Sequence, residues 1–290
     1  MKFPPLKYTF FSFLIIVGMT RLASQTKDFT EPNLFTSGIE GPATDSQGYI
    51  YAVNFGEEGT IGKVDQKGQV ELFIKLPEGS IGNGIRFDRK GDMYIADYNG
   101  HNILKVSKNL KKIDVFAHEQ NANQPNDLAI GPNDQIFASD PNWQNNTGNL
   151  WRVEEGQFVL LEKNMGTTNG IEVSPDGNRL YVNESVQRKI WVYDLNEKGE
   201  ISNKKMFYTF DDFGLDGMRC DEEGNLYVCR YGAGKVIILS PNGKLLQTII
   251  LKGKNPTNIT FGGVKNQQCF VTLADRGCIE EFKAIFPGRQ

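Results

Sequence analysis

This 290-residue chain has two histidines, His101 and His118, and four cysteines, none of them in Cys-x-x-Cys spacing. So few histidines disfavour histidine-centred catalysis, and the cysteine spacing gives no sign of a zinc site. There is no Gly-x-Ser-x-Gly elbow, no phosphate-binding glycine loop and no His-Glu-x-x-His. Three large enzyme classes therefore lose their signatures. Neither charge is in excess: 32 Lys and Arg against 35 Asp and Glu leave a net −3. The basic footprint of a nucleic-acid binder is absent. No segment sustains a 3.6-residue apolar period, which excludes helical solenoids.

What is present begins with an unusual start. Lys2 and Lys7 precede an apolar stretch, Phe10 to Met19, that is too short to span a bilayer comfortably. Leu22-Ala23-Ser24 then offers small residues before Gln25. Residues 1–24 read as a cleaved secretory signal, with an uncleaved anchor as the alternative. The expectation is a mature domain over 25–290, periplasmic or secreted, and not membrane-bound after cleavage. Such a compartment permits oxidation of Cys220, Cys229, Cys269 and Cys278. Cys269 and Cys278 flank a turn and could face each other across a hairpin, or all four could be buried thiols.

Glycine is plentiful, 31 residues, and its placement is periodic. Six segments repeat one pattern of apolar strand, polar turn and aromatic strand. They are GPATDSQGYIYAV, GIRFDRKGDMYIA, DLAIGPNDQIFAS, GIEVSPDGNRLYV, GMRCDEEGNLYVC and NITFGGVKNQQCFVT. The aromatic falls at Tyr51, Tyr94, Phe137, Tyr181, Tyr227 and Phe270, a spacing of 43 to 46 residues. Third and fourth strands follow in most repeats, such as 189–195 and 113–117. A period near 43 with four short strands predicts an all-β, six-bladed β-propeller with four-stranded blades. Residues 33–37 (NLFTS) are expected to close the ring as the missing outer strand of the last blade.

Rotation about the propeller axis brings equivalent positions together. The residue that starts each innermost strand is Glu40, Asn83, Asn126, Asn169, Asp216 or Thr257. All six carry oxygen. Converging oxygens, two of them acidic, are poorly satisfied without a partner. A hard divalent cation in the central tunnel resolves this, and Ca²⁺ suits the set best, with Zn²⁺, Mn²⁺ or Mg²⁺ as alternatives. Glu40, Asn169 and Asp216 are the candidate ligands, with Asn126 as a fourth. A water-filled polar tunnel is the plainer alternative.

Several of these residues sit in dipeptides that resemble a known signature. Glu40-Gly41-Pro42, Pro125-Asn126-Asp127, Asn169-Gly170 with Ser174-Pro175-Asp176-Gly177, and Asp216-Gly217 are similar to those of the SMP-30/gluconolactonase/luciferin-regenerating enzyme family. The likeness runs over about residues 33–283. It implies a propeller with one catalytic divalent metal on Glu40, Asn169 and Asp216, with Asn126 contacting metal or substrate. It also implies a small-molecule substrate: a lactone, another ester or an organophosphate.

One position departs from the pattern. Sugar-lactone members carry an Arg where this chain has Gln124, so a charged bidentate donor becomes a neutral amide and the sugar-lactone substrate is in doubt. Gln124, Asn83 and Asn126 remain candidate substrate contacts. Trp143 joins them from the loop after the aromatic strand of blade 3.

The expected function is metal-dependent hydrolysis of a lactone or related ester by an exported enzyme, with Asp216 as the catalytic base. Asp127 could assist, or could orient Asn126. Two rivals stay open: a non-catalytic NHL-like propeller that binds protein or carbohydrate, and a strictosidine-synthase-like propeller. No nucleic-acid partner is expected, and nothing in the chain fixes an oligomeric state.

Overall fold

A four-residue turn recurs through the molecule and explains its hairpins. In Asp45, Asp65, Asp88 and Asp221 the side-chain Oδ1 accepts backbone N–H groups two and four residues ahead, at 2.8–3.1 Å. The glycine three residues on takes φ between 79° and 86° in each case, a conformation that costs glycine alone little. These Asp-x-x-Gly turns reverse the chain tightly, so strands pair with their sequence neighbours.

The computed structural model describes residues 26–109 and 112–289. The expected secretory signal over 1–24 lies outside the described residues. The strand β1 (Lys27–Asp28) comes first. Blade 1 holds β2 (Ala43–Thr44), β3 (Ile50–Val53), β4 (Thr60–Val64) and β5 (Val70–Lys75). Blade 2 holds β6 (Gly82–Phe87), β7 (Met93–Asp97), β8 (Asn102–Val106) and β9 (Ile113–His118). Blade 3 holds β10 (Leu128–Ile130), β11 (Ile136–Asn142), β12 (Thr147–Glu154) and β13 (Gln157–Met165). Blade 4 holds β14 (Thr168–Val173), β15 (Arg179–Glu184), β16 (Lys189–Leu195) and β17 (Ile201–Thr209). Blade 5 holds β18 (Met218–Cys220), β19 (Leu226–Arg230), β20 (Lys235–Leu239) and β21 (Leu245–Ile250). Blade 6 holds β22 (Pro256–Gly262), β23 (Gln268–Leu273) and β24 (Cys278–Lys283).

Each blade is a four-stranded antiparallel sheet, and β1 completes the sixth by pairing with β24. The closing strand is therefore Lys27–Asp28 and not residues 33–37. That later segment crosses from blade 6 to blade 1: Phe35 N–H donates to the Gly277 carbonyl, and Phe35 bridges Phe55. The first strands β2, β6, β10, β14, β18 and β22 touch one another in a closed ring, which makes them the tunnel wall.

The core is divided by the same rotation. A cluster of buried apolar residues fills each of the six gaps between blades, such as Tyr51, Val53 and Ile61 against Ile85, Met93 and Ile95. The six repeat aromatics are all buried in these gaps. The four tyrosines among them meet neighbouring rings edge-on, as in Tyr94–Phe116 (5.1 Å) and Tyr181–Phe207 (5.0 Å). Tyr51 also donates its hydroxyl to Asp45 of its own turn, at 3.0 Å.

All four cysteines are free and buried. Cys278 lies opposite Leu273 and Cys269 opposite Phe282, so the two do not face each other across the hairpin. Burial pushes the thiol of Cys278 up to about 12 and those of Cys220, Cys229 and Cys269 higher than usual. Buried, protonated thiols are inert packing groups here.

Candidate metal centre

The loops that deliver five of the six tunnel residues are tied down by a polar side chain at the end of the blade's second strand. Asp140 accepts the Gln124 N–H (2.6 Å) and the Trp151 indole N–H (2.9 Å), which fixes the approach to Asn126. Asp97 accepts from the Ser80 hydroxyl and the Ile81 N–H before Asn83, and Glu184 from the Gly166 N–H before Asn169. Asn54 donates to the Gly38 carbonyl before Glu40. Arg230 binds Asp212 and the Gly214 carbonyl before Asp216. These groups make the ring stiff before any ligand arrives.

Glycines then let the ring contract. The N–H of Gly84 donates to the Asn126 carbonyl and that of Gly217 to the Thr257 carbonyl, linking neighbouring blades. A Cβ on Gly41 would stand 2.0 Å from the Asn83 carbonyl oxygen, and one on Gly170 would stand 2.3 Å from that of Asp216. The Glu-Gly, Asn-Gly and Asp-Gly pairs in the sequence are thus a packing requirement of the tunnel mouth.

Glu40, Asn83, Asn126, Asn169, Asp216 and Thr257 all line one cavity of about 370 Å³, as does Trp143. Two of the six are engaged elsewhere. Thr257 donates its hydroxyl to the Ile39 carbonyl (2.8 Å), and Asn83 donates its amide to the Asn126 carbonyl (3.1 Å). The amide oxygens of Asn126 and Asn169 are buried with no hydrogen-bond partner. Glu40 and Asp216 are buried and face each other. Burial raises Glu40 to about 7, with the Asp127 charge adding to it. Burial, then the Glu40 carboxyl, holds Asp216 well above the usual carboxylate range.

Two orphaned amide oxygens beside two carboxylates that cannot comfortably ionise together form a donor set for a hard divalent cation. These four residues fit such an ion. Among the described residues, no three His, Cys, Asp or Glu side chains gather into a metal cluster. Amide oxygens make up the set instead. Gln124 is half-buried and does not line the cavity.

The profile of the SMP-30/gluconolactonase/LRE-like region matches residues 38–275. This chain belongs to that family. The gluconolactonase of Zymomonas mobilis is 26% identical over 241 residues, 71% of this chain and 67% of its own. Among solved structures, a luciferin-regenerating enzyme superposes with a TM-score of 0.79 at 20% identity, covering 92% of this chain and 99% of that one. A calcium-binding regucalcin from Agrobacterium tumefaciens superposes with 0.77 at 20% identity, covering 93% and 97%.

This SMP-30/gluconolactonase-family propeller also holds residues that the sequence reading missed. Asn258 is fully buried and donates to Glu40 Oε2 at 3.0 Å. It stands in an Asn-x-Thr sequence, and Asn183 in an Asn-x-Ser one; full burial closes both to glycosylation in the folded domain. Three residues deeper along the inner strands stand Arg86, Glu172 and Arg219. Asp127 pairs with Arg86 at 3.0 Å, and Arg219 lies 3.7 Å from Glu172 and 4.0 Å from Asp127. Burial and the nearby Arg86 charge lower Arg219 to about 10. Asp127 is thus committed to a buried ionic layer beneath the mouth.

Proposed function

We propose that this protein is a divalent-metal-dependent hydrolase of a lactone or related ester, acting outside the cytoplasm. One observation carries the reading: Glu40, Asp216 and the unpartnered amide oxygens of Asn126 and Asn169 share one buried cavity. The gluconolactonase relative and the calcium-binding regucalcin fold neighbour support lactone hydrolysis and Ca²⁺ respectively.

When bound by these four residues, a divalent cation would polarise the ester carbonyl and stabilise charge on its oxygen. Asp216 takes the proton from the attacking water as the new C–O bond forms. It returns that proton to the leaving alkoxide as the ring C–O bond breaks, so lactone and water become a hydroxy acid. Glu40 is held by the Gly41 N–H and the Asn258 amide, which fixes its carboxylate relative to Asp216. The ring supplies preorganisation, since its donor loops are locked by Asn54, Asp140, Glu184 and Arg230.

Export rests on residues 1–24, and the N-terminal sequence of the mature protein tests it, with a start near Gln25 expected. The enzymatic reading is tested by a lactone and ester panel assayed after chelation and with each metal restored. Activity should vanish on chelation and return with one metal, Ca²⁺ first. Hydrolysis unaffected by chelation would overturn the reading, and a protein inert towards the whole panel would favour a non-catalytic propeller.

A further inference from the structure

The wall of the cavity differs in character from its floor. Among the described residues, its only charged lining residues are Glu40 and Asp216, and no Lys, Arg or His reaches it. Above them the wall is formed by Ile39, Ala274, Trp143 and Tyr231, with Ser37 and Ser185 between. Trp143 stands on the turn between β11 and β12, and Tyr231 on the turn after β19. They are 41% and 40% exposed, large apolar groups held at a mouth rather than in a core. Phe213 is 51% exposed and extends the surface, since a Cβ on the adjoining Gly232 would stand 3.0 Å from its ring.

This composition selects against two kinds of substrate. An anionic molecule finds no cationic side chain on the wall, and two carboxylates already balance one divalent cation. A polyol needs many hydrogen-bonding groups, yet the Thr257 hydroxyl and the Asn83 amide are engaged by backbone carbonyls, which leaves the wall few beyond the hydroxyls of Ser37, Ser185 and Tyr231. Unpaired sugar hydroxyls against Trp143, Tyr231 and Ile39 would lose their hydration without replacement. An alkyl or aryl group would instead be buried by them.

Resting on the hydrolase reading, we propose that the substrate class is a small, neutral lactone or ester with an apolar arm. Its carbonyl would sit over Glu40 and Asp216, and its arm would lie between Trp143 and Tyr231. A cavity of about 370 Å³ suits a lactone ring with a short chain.

The test is a series of δ-lactones with alkyl arms from methyl to heptyl, against glucono-δ-lactone, on the metal-loaded full-length protein. The value of kcat/KM should rise about fourfold per CH2 until the wall is covered. Trp143→Ser and Tyr231→Ser should each flatten that rise and lower heptyl-lactone turnover about tenfold, with metal affinity kept within about twofold. A flat series, or glucono-δ-lactone preferred over every alkyl lactone, would overturn the substrate class and leave the hydrolase reading standing. The matching alkyl δ-lactams, which resist hydrolysis, are titrated by calorimetry alongside. If no lactone turns over but lactam affinity climbs with chain length and Trp143→Ser abolishes the climb, the apolar-arm site stands and the hydrolase reading falls. If neither turnover nor binding depends on the arm, the site is rejected.

Discussion

The side-chain amide of Asn258 donates to Glu40 Oε2 across the junction of blades 6 and 1, at 3.0 Å. Its own oxygen accepts the Ile259 N–H at 2.9 Å, which fixes which way the amide faces. A Cβ at Gly217, next to Asp216, would stand 2.0 Å from Asn258. One buried amide therefore ties the two carboxylates of the candidate metal centre to a single frame.

Removing that donor frees Glu40 to rotate while leaving every candidate ligand in place. Asn258→Ala is expected to weaken divalent-metal binding by about 10- to 100-fold. Isothermal titration with Ca²⁺ measures it directly. Unchanged affinity in a folded variant would show that Asn258 does not position Glu40.

The carboxyl pair gives the metal-free protein a distinct pH response. Glu40 titrates near 7 in the fold, through burial first, against about 4.3 in an unfolded chain. Between those values the native state keeps a proton that the unfolded state has released. Metal-free stability therefore falls as pH rises from about 4.5 to about 7 and levels off above. Asp216 acts in the same direction. Urea denaturation at pH 5 and pH 8 in chelator should show this, and Glu40→Gln should remove much of the fall. Metal affinity should run the opposite way and strengthen with pH, because the ion requires both carboxylates charged.

The ionic layer beneath the mouth makes a contrast available within one hairpin. Arg86 is buried against Asp127 at 3.0 Å, while Arg89 pairs with Asp134 at the surface, with a side chain 69% exposed. Arg86→Met leaves the buried Asp127 carboxylate without its 3.0 Å partner, with Arg219 at 4.0 Å as its remaining cation, and should cost about 3 kcal/mol or more. Arg89→Met should stay within about 1 kcal/mol. Equal losses in chemical denaturation would contradict the burial argument.

The repeat, the blade count and the ring of tunnel oxygens were legible because each rests on a period. Tyr51 and its five equivalents recur at blade spacing, and the position five residues before each turn carries Glu40 through Thr257. The same register extended by three residues would have found Arg86, Glu172 and Arg219. They escaped notice because single charges in short strands look like solvent-facing residues. The position one residue on from the tunnel ring is Gly in four blades but Asp127 and Asn258 in the others, and that break in the repeat was the available signal. Ring closure was misplaced because Lys27–Asp28 is two exposed polar residues with no strand pattern to read. The Cys269–Cys278 pairing depended on register across a turn, where a shift in the turn moves both partners.

Asp216 joins two demands that pull apart, and one substitution separates them. In the metal-free fold its carboxyl is buried beside Glu40, so its charge is a cost to folding. In the proposed reaction the same carboxyl would help to hold the metal and carries the proton. Asp216→Asn keeps the shape and removes the charge. Turnover should fall on the order of 10³-fold or more, with Ca²⁺ binding lost or sharply weakened. The metal-free variant should nonetheless unfold at a higher urea concentration than the wild type at pH 8, because the like-charge pair is gone. At pH 5, where the wild-type pair already holds protons, the two should converge. A variant that is less stable than wild type at pH 8 would mean that Asp216 serves the fold as well as the chemistry. The two carboxylates would then not be the strained pair that a cation relieves.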